Sequence, residues 1–149
     1  MLEITISIAN RFIRQARSEN VSLSYAKLQC LMYLLHRQYL KKTKRILLKE
    51  AFIAGINGPR LLSIQTAAYE QHNFDNGTFD YFINPDGTYS YLDVSKHMQV
   101  QYAFLDVWYD YKNCTANDLL KGICKPMSAW QKARNKGNKV LDNIDIYGE

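Results

Sequence analysis

Residues 25–39 read YAKLQCLMYLLHRQY and form the longest sustained apolar pattern in the chain. Their apolar side chains recur at three- and four-residue intervals, which places them on one face of an α-helix. Ser22 or Ser24, just before the pattern, can cap such a helix by accepting a backbone N–H of its first turn. The pattern therefore predicts a central helix whose apolar face lies in the core. The stripe consists of Tyr25, Leu28, Leu31, Met32, Leu35 and Tyr39.

Helices are also predicted on both sides of this central element. Before it, apolar residues recur at helical spacing from about residue 6 to residue 16. The alternation over residues 2–8 also allows a strand, so the structure of the first residues is left open. After it, Pro59 disfavours a helical Gly58 and suits the first turn of a new helix. That helix is predicted from near Pro59 to about His72.

The second half of the chain carries start and stop signals for three shorter helices. Asp93 or Ser95 can open the first of them. Thr115 begins a capping-box pattern, with an acidic residue three positions later. The last helix is predicted over residues 127–135, and Gly137 ends it.

A β-hairpin is predicted between these two groups of helices. Residues 78–83 and 88–92 are rich in aromatic and β-branched side chains, and they flank the turn sequence NPDG at residues 84–87. Pro at the second turn position and Gly87 at the fourth suit a type I turn followed by a positive φ. Residues 78–92 should therefore form an antiparallel hairpin that leans on the helices.

Length and composition indicate one domain. The chain has 149 residues, of which 47% are hydrophobic, enough for one core of ordinary size. We therefore predict a single domain over residues 1–149 in a mainly α (α+β) class. It should contain about five to six helices and one small antiparallel β-hairpin. Residues 1–5 and the polar residues 138–149 are expected to fray.

Neither an enzyme site nor a metal site is indicated. The chain has no G-x-S-x-G, H-E-x-x-H or P-loop pattern. Cys30, Cys114 and Cys124 have no CxxC spacing, and the three histidines share no metal-ligand spacing with them. We therefore expect free thiols and no catalysis, cofactor or metal. No run approaches the roughly 20 apolar residues of a membrane span, so a cytoplasmic protein is expected.

The charge distribution favours acidic partners. The formal net charge is +5, with basic clusters at residues 41–45 and 132–139. Such a field attracts either nucleic acid or the acidic face of a protein. For residues 41–45 the alternative is a solvated helix end, because cations interact well with the dipole at a helix carboxyl terminus.

Five stretches of the chain resemble one family in order and in approximate spacing. They are residues 8–13 (IANRFI), 27–33 (KLQCLMY), 53–60 (IAGINGPR), 111–119 (YKNCTANDL) and 130–133 (WQKA). The second is similar to a "kLQKLLYfa" helix, the third to an "EAWxYGPV" segment and the last to a "pWxxa" tail. Together they resemble the Panacea (SocA-like) antitoxin domains, which include phage-associated proteins.

This resemblance implies a helical protein that binds a toxin directly and has no catalytic activity. The partner would be a cognate toxin, encoded by an adjacent gene, and a role as a protease adaptor is also known in the family. The chain departs from the family at Gly55, where Trp is usual, at Asn57, where Tyr is usual, and at Arg60, where Val is usual. Cys124 and Lys125 stand where the family has Thr-His. A basic nucleic-acid-binding regulator is the alternative function.

The loop at residues 57–59 is the best candidate for a functional surface. Asn57, Gly58 and Pro59 are predicted to present free amides at a helix start, where an anion can bind beside Arg60, and a plain rigid turn is the alternative. Trp130 is predicted to anchor the last helix to the core, with a stacking platform as the alternative. On the antitoxin hypothesis, exposed aromatic and basic side chains would supply the interface anchors. These are Arg60, Tyr89, Tyr91 and Lys125.

Overall fold

The computed structural model describes residues 2–71 and 80–149. Helices cover most of them, and one small antiparallel two-stranded sheet accompanies the helices. The predicted mainly α fold with a small hairpin is confirmed, with seven α-helices in the described residues instead of five or six. They are α1 (Leu2–Ser18), α2 (Tyr25–Thr43), α3 (Leu62–Glu70), α4 (Met98–Tyr111), α5 (Ala116–Ile123), α6 (Ala129–Lys136) and α7 (Asn143–Tyr147). The strands are β1 (Ile53–Gly55) and β2 (Gly58–Arg60), and a 3-10 turn covers Val94–Lys96.

Helix α2 is the central element that the apolar stripe predicts. It packs against α1, α4, α5, α7 and β2. Leu28, Leu31 and Leu35 are completely buried, and burial of each such side chain contributes about 1.5–3 kcal/mol. The cap is Ser24, whose Oγ accepts a hydrogen bond from Lys27 N at 3.1 Å. The helix therefore begins where the second of the two candidate caps stands.

Helix α1 begins earlier than its sequence pattern indicated. It starts at Leu2, and Thr5 is 1% exposed, so its first turns belong to the packed structure instead of fraying. Its Phe12 ring packs against Phe104 of α4, with ring centroids 4.6 Å apart, and against Trp108 at 6.4 Å. These aromatic contacts join the first helix to the fourth.

The turn predicted at residues 84–87 is present, but the strands predicted around it are not. Gly87 N donates to Asn84 O at 2.9 Å, and Gly87 takes a φ of +88°. Residues 80–83 and 88–92 are not strands, whereas Thr78 and Phe79 of the predicted hairpin lie outside the described residues. The prediction of a two-stranded ladder is therefore wrong over the described limbs.

A buried side chain explains why these limbs form no ladder. Asn84 N still donates to Thr88 O, but the next groups that could pair across the limbs are bonded to Asn10 of α1. Asn10 Nδ2 donates to Phe82 O at 3.0 Å and to Ser90 O at 2.8 Å, while Asn10 Oδ1 accepts from Phe82 N at 2.8 Å. The carboxamide of Asn10 thus stands between the limbs and pairs backbone groups that a strand partner would otherwise take.

The sheet lies instead at β1 and β2, around Ile56 and Asn57. Its register pairs Ile53 with Arg60, Ala54 with Pro59, and Gly55 with Gly58. Pro59 is compatible with this strand because its position alternates with the hydrogen-bonded pairs, so the missing N–H removes no ladder bond. The helix predicted from Pro59 therefore begins later, at Leu62.

The carboxyl-terminal segment is ordered against the sheet instead of frayed. Ala54 N donates to Lys139 O at 2.8 Å, and Leu141 N donates to Phe52 O at 2.9 Å, so Val140 forms an antiparallel bridge with Ile53. Helix α7 follows, with its Ile146 side chain buried. The expectation that residues 138–149 fray is therefore wrong.

A buried carboxylate ties this segment to α2 and α6. The Glu149 side chain is 3% exposed and forms an ion pair with Arg37 at 2.9 Å. Its Oε2 accepts hydrogen bonds of 2.8 Å from Tyr33 Oη and from Ala129 N, the first residue of α6. A carboxylate suits a helix amino terminus, whose backbone amides lack partners within the helix.

None of the described helices is long and apolar enough to cross a bilayer.

Replacing Asn10 with Ala tests the role of this side chain in holding the 80–92 segment. The substitution removes three hydrogen bonds to the backbone at Phe82 and Ser90, which should lower the free energy of unfolding by at least about 2 kcal/mol. Asn113→Ala is the control, because Asn113 is exposed and should change stability by less than about 0.5 kcal/mol. Urea denaturation measures both variants. A loss for Asn10→Ala as small as that of the control would contradict the role given to Asn10.

Buried His36 should make stability depend on pH. Its Nδ1 accepts from Leu48 N at 3.2 Å, so Nε2 carries the proton and donates to Asn143 Oδ1 at 2.8 Å. Burial lowers the pKa of His36, and the hydrogen bond with Asn143 opposes this shift only in part. In the unfolded chain His36 binds a proton more readily than in the folded protein, because an unperturbed histidine has a pKa of about 6.5. Neutral His36 therefore contributes fully to the free energy of unfolding above that pH. This contribution is lost as the pH falls through the lowered pKa of His36 in the folded protein.

We therefore expect the free energy of unfolding to fall between pH 7 and 5, by at most about 1.4 kcal/mol per pH unit from this residue. His36→Gln should remove that component of the slope. His97→Gln, at an exposed position, should keep it. Denaturant unfolding at several pH values measures the slopes, and equal slopes for the two variants would show that His36 does not carry the effect.

Candidate functional site

The tip of the β1–β2 hairpin is the most prominent exposed apolar feature near the predicted site. Ile56 at the tip is 79% exposed, and Asn57 beside it is also exposed. Gly58 takes a φ of +129°, which other residues rarely adopt, and a Cβ there would lie 2.7 Å from Leu120 Cδ2. Only glycine therefore allows this turn to lie so close to α5.

Two side chains of α6 hold the hairpin in place. Trp130 Nε1 donates to Gly55 O at 2.7 Å, and Arg134 Nη1 donates to Ala54 O at 3.0 Å. The Trp130 ring packs partly buried against the core, with the Arg134 guanidinium 5.9 Å from its centroid. Both acceptors lie in β1, directly before the tip. The exposed Ile56 is thus presented on a rigid support.

Three shallow depressions surround the tip. One lies between α2 and β2 and includes Tyr25 and Leu120. A second lies between the tip and α5 and includes Leu120 and Trp130. The third is lined by β1 together with residues 137–140. Ile56 borders all three, so a partner that covers the tip would also cover their apolar walls.

The described residues that line these depressions carry charge of one sign. Their charged side chains are Arg60, Lys121, Arg134 and Lys139, and no Asp or Glu is among them. Arg60 Nε also donates to Gln65 Oε1 at 2.6 Å, which fixes the position of its guanidinium. An acidic partner surface would therefore find only favourable charges around the tip.

The structure brings some of the sequence-predicted residues together and separates others. Asn57, Gly58, Pro59 and Arg60 lie in or beside the hairpin, and Trp130 supports it. Lys125 is exposed just beyond α5 but lines none of the three depressions. Tyr89 and Tyr91 belong to a different surface. Tyr89 stacks on Tyr81 with ring centroids 4.3 Å apart, and Arg14 of α1 lies over Tyr91 at 4.0 Å.

The predicted anion site at a helix start beginning with Pro59 is wrong. Gly58 and Pro59 are buried in β2, and α3 begins two residues after β2 ends. The amino terminus of α3 already holds a carboxylate of the chain itself, since Glu50 Oε2 accepts from Ser63 N at 2.8 Å. Arg60 therefore acts at the hairpin and not beside an open helix start.

Several residues of the site were missed in the sequence. Ile56 was missed because the two-residue turn that exposes it was not predicted from the sequence. In the sequence, nothing but positive charge marked the three other residues that were missed. These are Lys121, Arg134 and Lys139. Arg134 became part of the site through its bond to Ala54 O, which spans 80 residues of sequence. No local pattern predicts such a contact.

The two basic clusters are partly engaged in the fold. In the first, Lys41 Nζ donates to Glu149 O, and Lys44 forms the left-handed carboxyl-terminal cap of α2 with a φ of +59°. In the second, Lys132 lies 3.9 Å from Asp145. The first cluster thus closes a helix, as the alternative interpretation of residues 41–45 proposed.

The cysteines are free thiols, and potential metal ligands do not cluster in the described residues. All three cysteines are free, and burial raises the pKa of Cys30 to about 12. That thiol is therefore protonated at neutral pH and unreactive as a nucleophile. Residues 2–71 and 80–149 contain no group of three or more His, Cys, Asp or Glu side chains placed to hold a metal.

Substitution of Trp130 tests whether this side chain anchors the β1–β2 hairpin to the core. Trp130→Ala should lower the free energy of unfolding by about 3 kcal/mol, the lower end for large aromatic residues, because this ring is only partly buried. Trp130→Phe should cost about 0.5–1.5 kcal/mol, since it removes mainly the hydrogen bond to Gly55 O. Tyr102→Ala, at an exposed position, is the control. If thermal melting is unchanged in Trp130→Ala while partner binding collapses, Trp130 is a contact residue and not an anchor.

Comparison with known proteins adds no relative to this description. No protein-family model, no curated protein and no solved structure matches the chain. The geometry of the hairpin tip is therefore the structural ground for a function.

Proposed function

We propose that this chain is a non-enzymatic, protein-binding antitoxin or phage-associated accessory protein of the Panacea type, which neutralises a toxin by direct binding. The observation that carries the proposal is the hairpin tip. Ile56 stands exposed on a rigid support, and the depressions around it carry cations and no described carboxylate. The partner is expected to be a cognate toxin, encoded by an adjacent gene, with an acidic rim around an apolar pocket.

In this arrangement the apolar side chain and the surrounding cations would have different roles in binding. Burial of the Ile56 side chain in a partner pocket would contribute about 1.5–3 kcal/mol of binding free energy. The cations at the rim would mainly accelerate association and select the acidic face. Because Trp130 and Arg134 already fix the hairpin, little conformational entropy is lost on binding. Inhibition would then be steric, through coverage of the toxin's active surface.

The geometry also connects two separate parts of the family resemblance. Residues 53–60 form the hairpin, and residues 130–133 lie in α6. The two stretches meet through the bond from Trp130 Nε1 to Gly55 O. Residues that resemble the family in two distant stretches thus build one surface. This supports the proposal that the surface serves the partner-binding function of that family.

Two other roles make different demands on this surface. A protease adaptor would need a second contact region that remains free while the toxin is bound. A nucleic-acid-binding regulator would use Arg60, Lys121, Arg134 and Lys139 against phosphates, and its affinity would fall steeply with salt. The large exposure of Ile56 favours a protein partner, because phosphate contacts would leave this side chain in water.

Substitution of Ile56 tests the proposal directly. Ile56→Asp places a carboxylate where the partner pocket and its acidic rim are expected, so the affinity for the product of the adjacent gene should fall by at least about 30-fold. Ile144→Asp is the matched control, because Ile144 of α7 is 78% exposed and lines none of the three depressions. Its affinity should stay within about twofold of the wild type. Titration calorimetry at low and high salt measures both.

Three outcomes would overturn the proposal. One is an equal loss of affinity in the two variants, and another is no loss in Ile56→Asp. The third is tight binding of the wild-type chain to unrelated duplex DNA, with no co-purifying protein at either salt concentration.

A further inference from the structure

A second surface, whose residues line none of the three depressions around the hairpin tip, combines aromatic rings with arginines. We call it the Tyr–Arg surface and define it by Arg14, Arg17, Tyr81, Tyr89 and Tyr91. The rings of Tyr81 and Tyr89 stack at 4.3 Å with only 5° between their planes. Arg17 lies 4.6 Å from the Tyr81 centroid, and Arg14 lies 4.0 Å from the Tyr91 centroid. Helix α1 thus supplies the cations and residues 81–91 supply the rings.

The rings are held in place before any ligand binds. Asn10 of α1 bonds the backbone at Phe82 and Ser90, next to Tyr81 and between Tyr89 and Tyr91. Leu92 N also donates to Ser7 O at 3.1 Å. Each ring therefore stands beside a backbone group that is fixed to α1. A ligand would not have to order this segment, which favours binding.

Two of the rings remain open to solvent. Tyr89 is 47% exposed and Tyr91 is 39% exposed. They stand two residues apart in the same limb, and each has one partner on one side, Tyr81 for Tyr89 and Arg14 for Tyr91. Exposed aromatic rings of this kind offer faces on which planar groups can stack.

Arg14 retains open hydrogen-bond donors, whereas Arg17 forms an ion pair with Asp80 and Arg11 Nη1 donates to Gln15 Oε1 at 2.8 Å. The contact with Tyr91 uses the face of the Arg14 guanidinium, and Arg14 makes no hydrogen bond or ion pair with the described residues, so its N–H edges are open. Arg11 lies nearby, and its pKa is lowered by burial and by the charge of Arg14. A shallow depression here is lined by Arg11, Arg14, Tyr91 and Asp93. The Asp93 carboxylate accepts from Ser95 N at 3.1 Å, and its charge partly opposes the lowering of the Arg11 pKa. An anion between the two guanidinium groups would relieve their repulsion.

We propose that the Tyr–Arg surface binds single-stranded nucleic acid, with bases stacked on Tyr89 and Tyr91 and a phosphate held by Arg14 and Arg11. Stacked aromatic side chains beside cations are the means by which proteins hold single strands without reading their sequence. A duplex keeps its bases paired and stacked, so it could use the arginines but not the rings. An acidic peptide would likewise leave the ring faces unused. The proposal is independent of the toxin-binding function.

Fluorescence anisotropy with labelled oligothymidine and oligouridine of about ten nucleotides tests this proposal. Tyr89→Leu should weaken binding by about five- to 150-fold, the range for loss of one base stack. Tyr89→Phe keeps the ring and should stay within about threefold of the wild type. Arg14→Gln should weaken binding more than Lys125→Gln, which removes the same charge from another exposed position. Tyr91→Leu repeats the ring test if Tyr89→Leu lowers the melting temperature.

The outcomes separate this proposal from its alternatives. Binding of either oligonucleotide with the expected order of variants supports it, and the stronger of the two shows whether DNA or RNA is preferred. Equal binding of a matched duplex, equal effects of Leu and Phe at position 89, or complete competition by polyglutamate would overturn it. Absence of binding would also overturn it. Ile56→Asp should leave oligonucleotide affinity unchanged, so this test can fail or succeed without the toxin-binding proposal.

Discussion

The structure depends on one constraint, which is that buried backbone N–H and C=O groups need hydrogen-bond partners. Much of this chain between its helices is irregular and lies against the core, so its backbone groups cannot all reach water. Helices α1 and α2 supply the partners through buried polar side chains. Asn10 forms hydrogen bonds with the backbone of Phe82 and Ser90. Gln29 Oε1 accepts from Leu61 N at 2.9 Å, and Gln29 Nε2 donates to Leu61 O at 3.2 Å.

This constraint also positions the two proposed binding surfaces. Gln29 fixes Leu61 directly after β2, so one end of the hairpin is tied to α2. Trp130 and Arg134 fix the strand before the tip to α6. Asn10 fixes the limbs that carry Tyr89 and Tyr91. Each surface therefore depends on polar contacts from helical side chains to the backbone of a segment outside the helices.

Local signals in the sequence predicted several helix ends correctly, whereas α3 and α4 begin later than predicted. Ser24, Thr115 and Gly137 end or begin helices where their capping chemistry predicts, because each acts on backbone groups within a few residues. The hairpin was placed wrongly because the side chain that replaces its ladder, Asn10, stands about 70 to 80 residues away. The ordered carboxyl-terminal segment was missed for the same reason, since its partners lie in α2 and β1.

The candidate site was predictable in part, for a related reason. Arg60 and Trp130 stood out by residue type and by resemblance, and the structure places both at the hairpin. Arg134 and Lys139 joined the site only through contacts distant in sequence, which composition and spacing do not reveal. Tyr89 and Tyr91 were recognised as exposed aromatic residues, but their stacking with Tyr81 and Arg14 depends on how residues 81–91 lie on α1.

Amide hydrogen exchange of the chain, alone and in complex with the product of the adjacent gene, tests the central claim most directly. If the hairpin tip is the toxin-binding surface, the complex should slow exchange at Ile56, at Asn57 and in α5, while residues 81–91 exchange as in the free chain. Protection confined to residues 81–91 and α1, with exchange at the tip unchanged, would contradict the account.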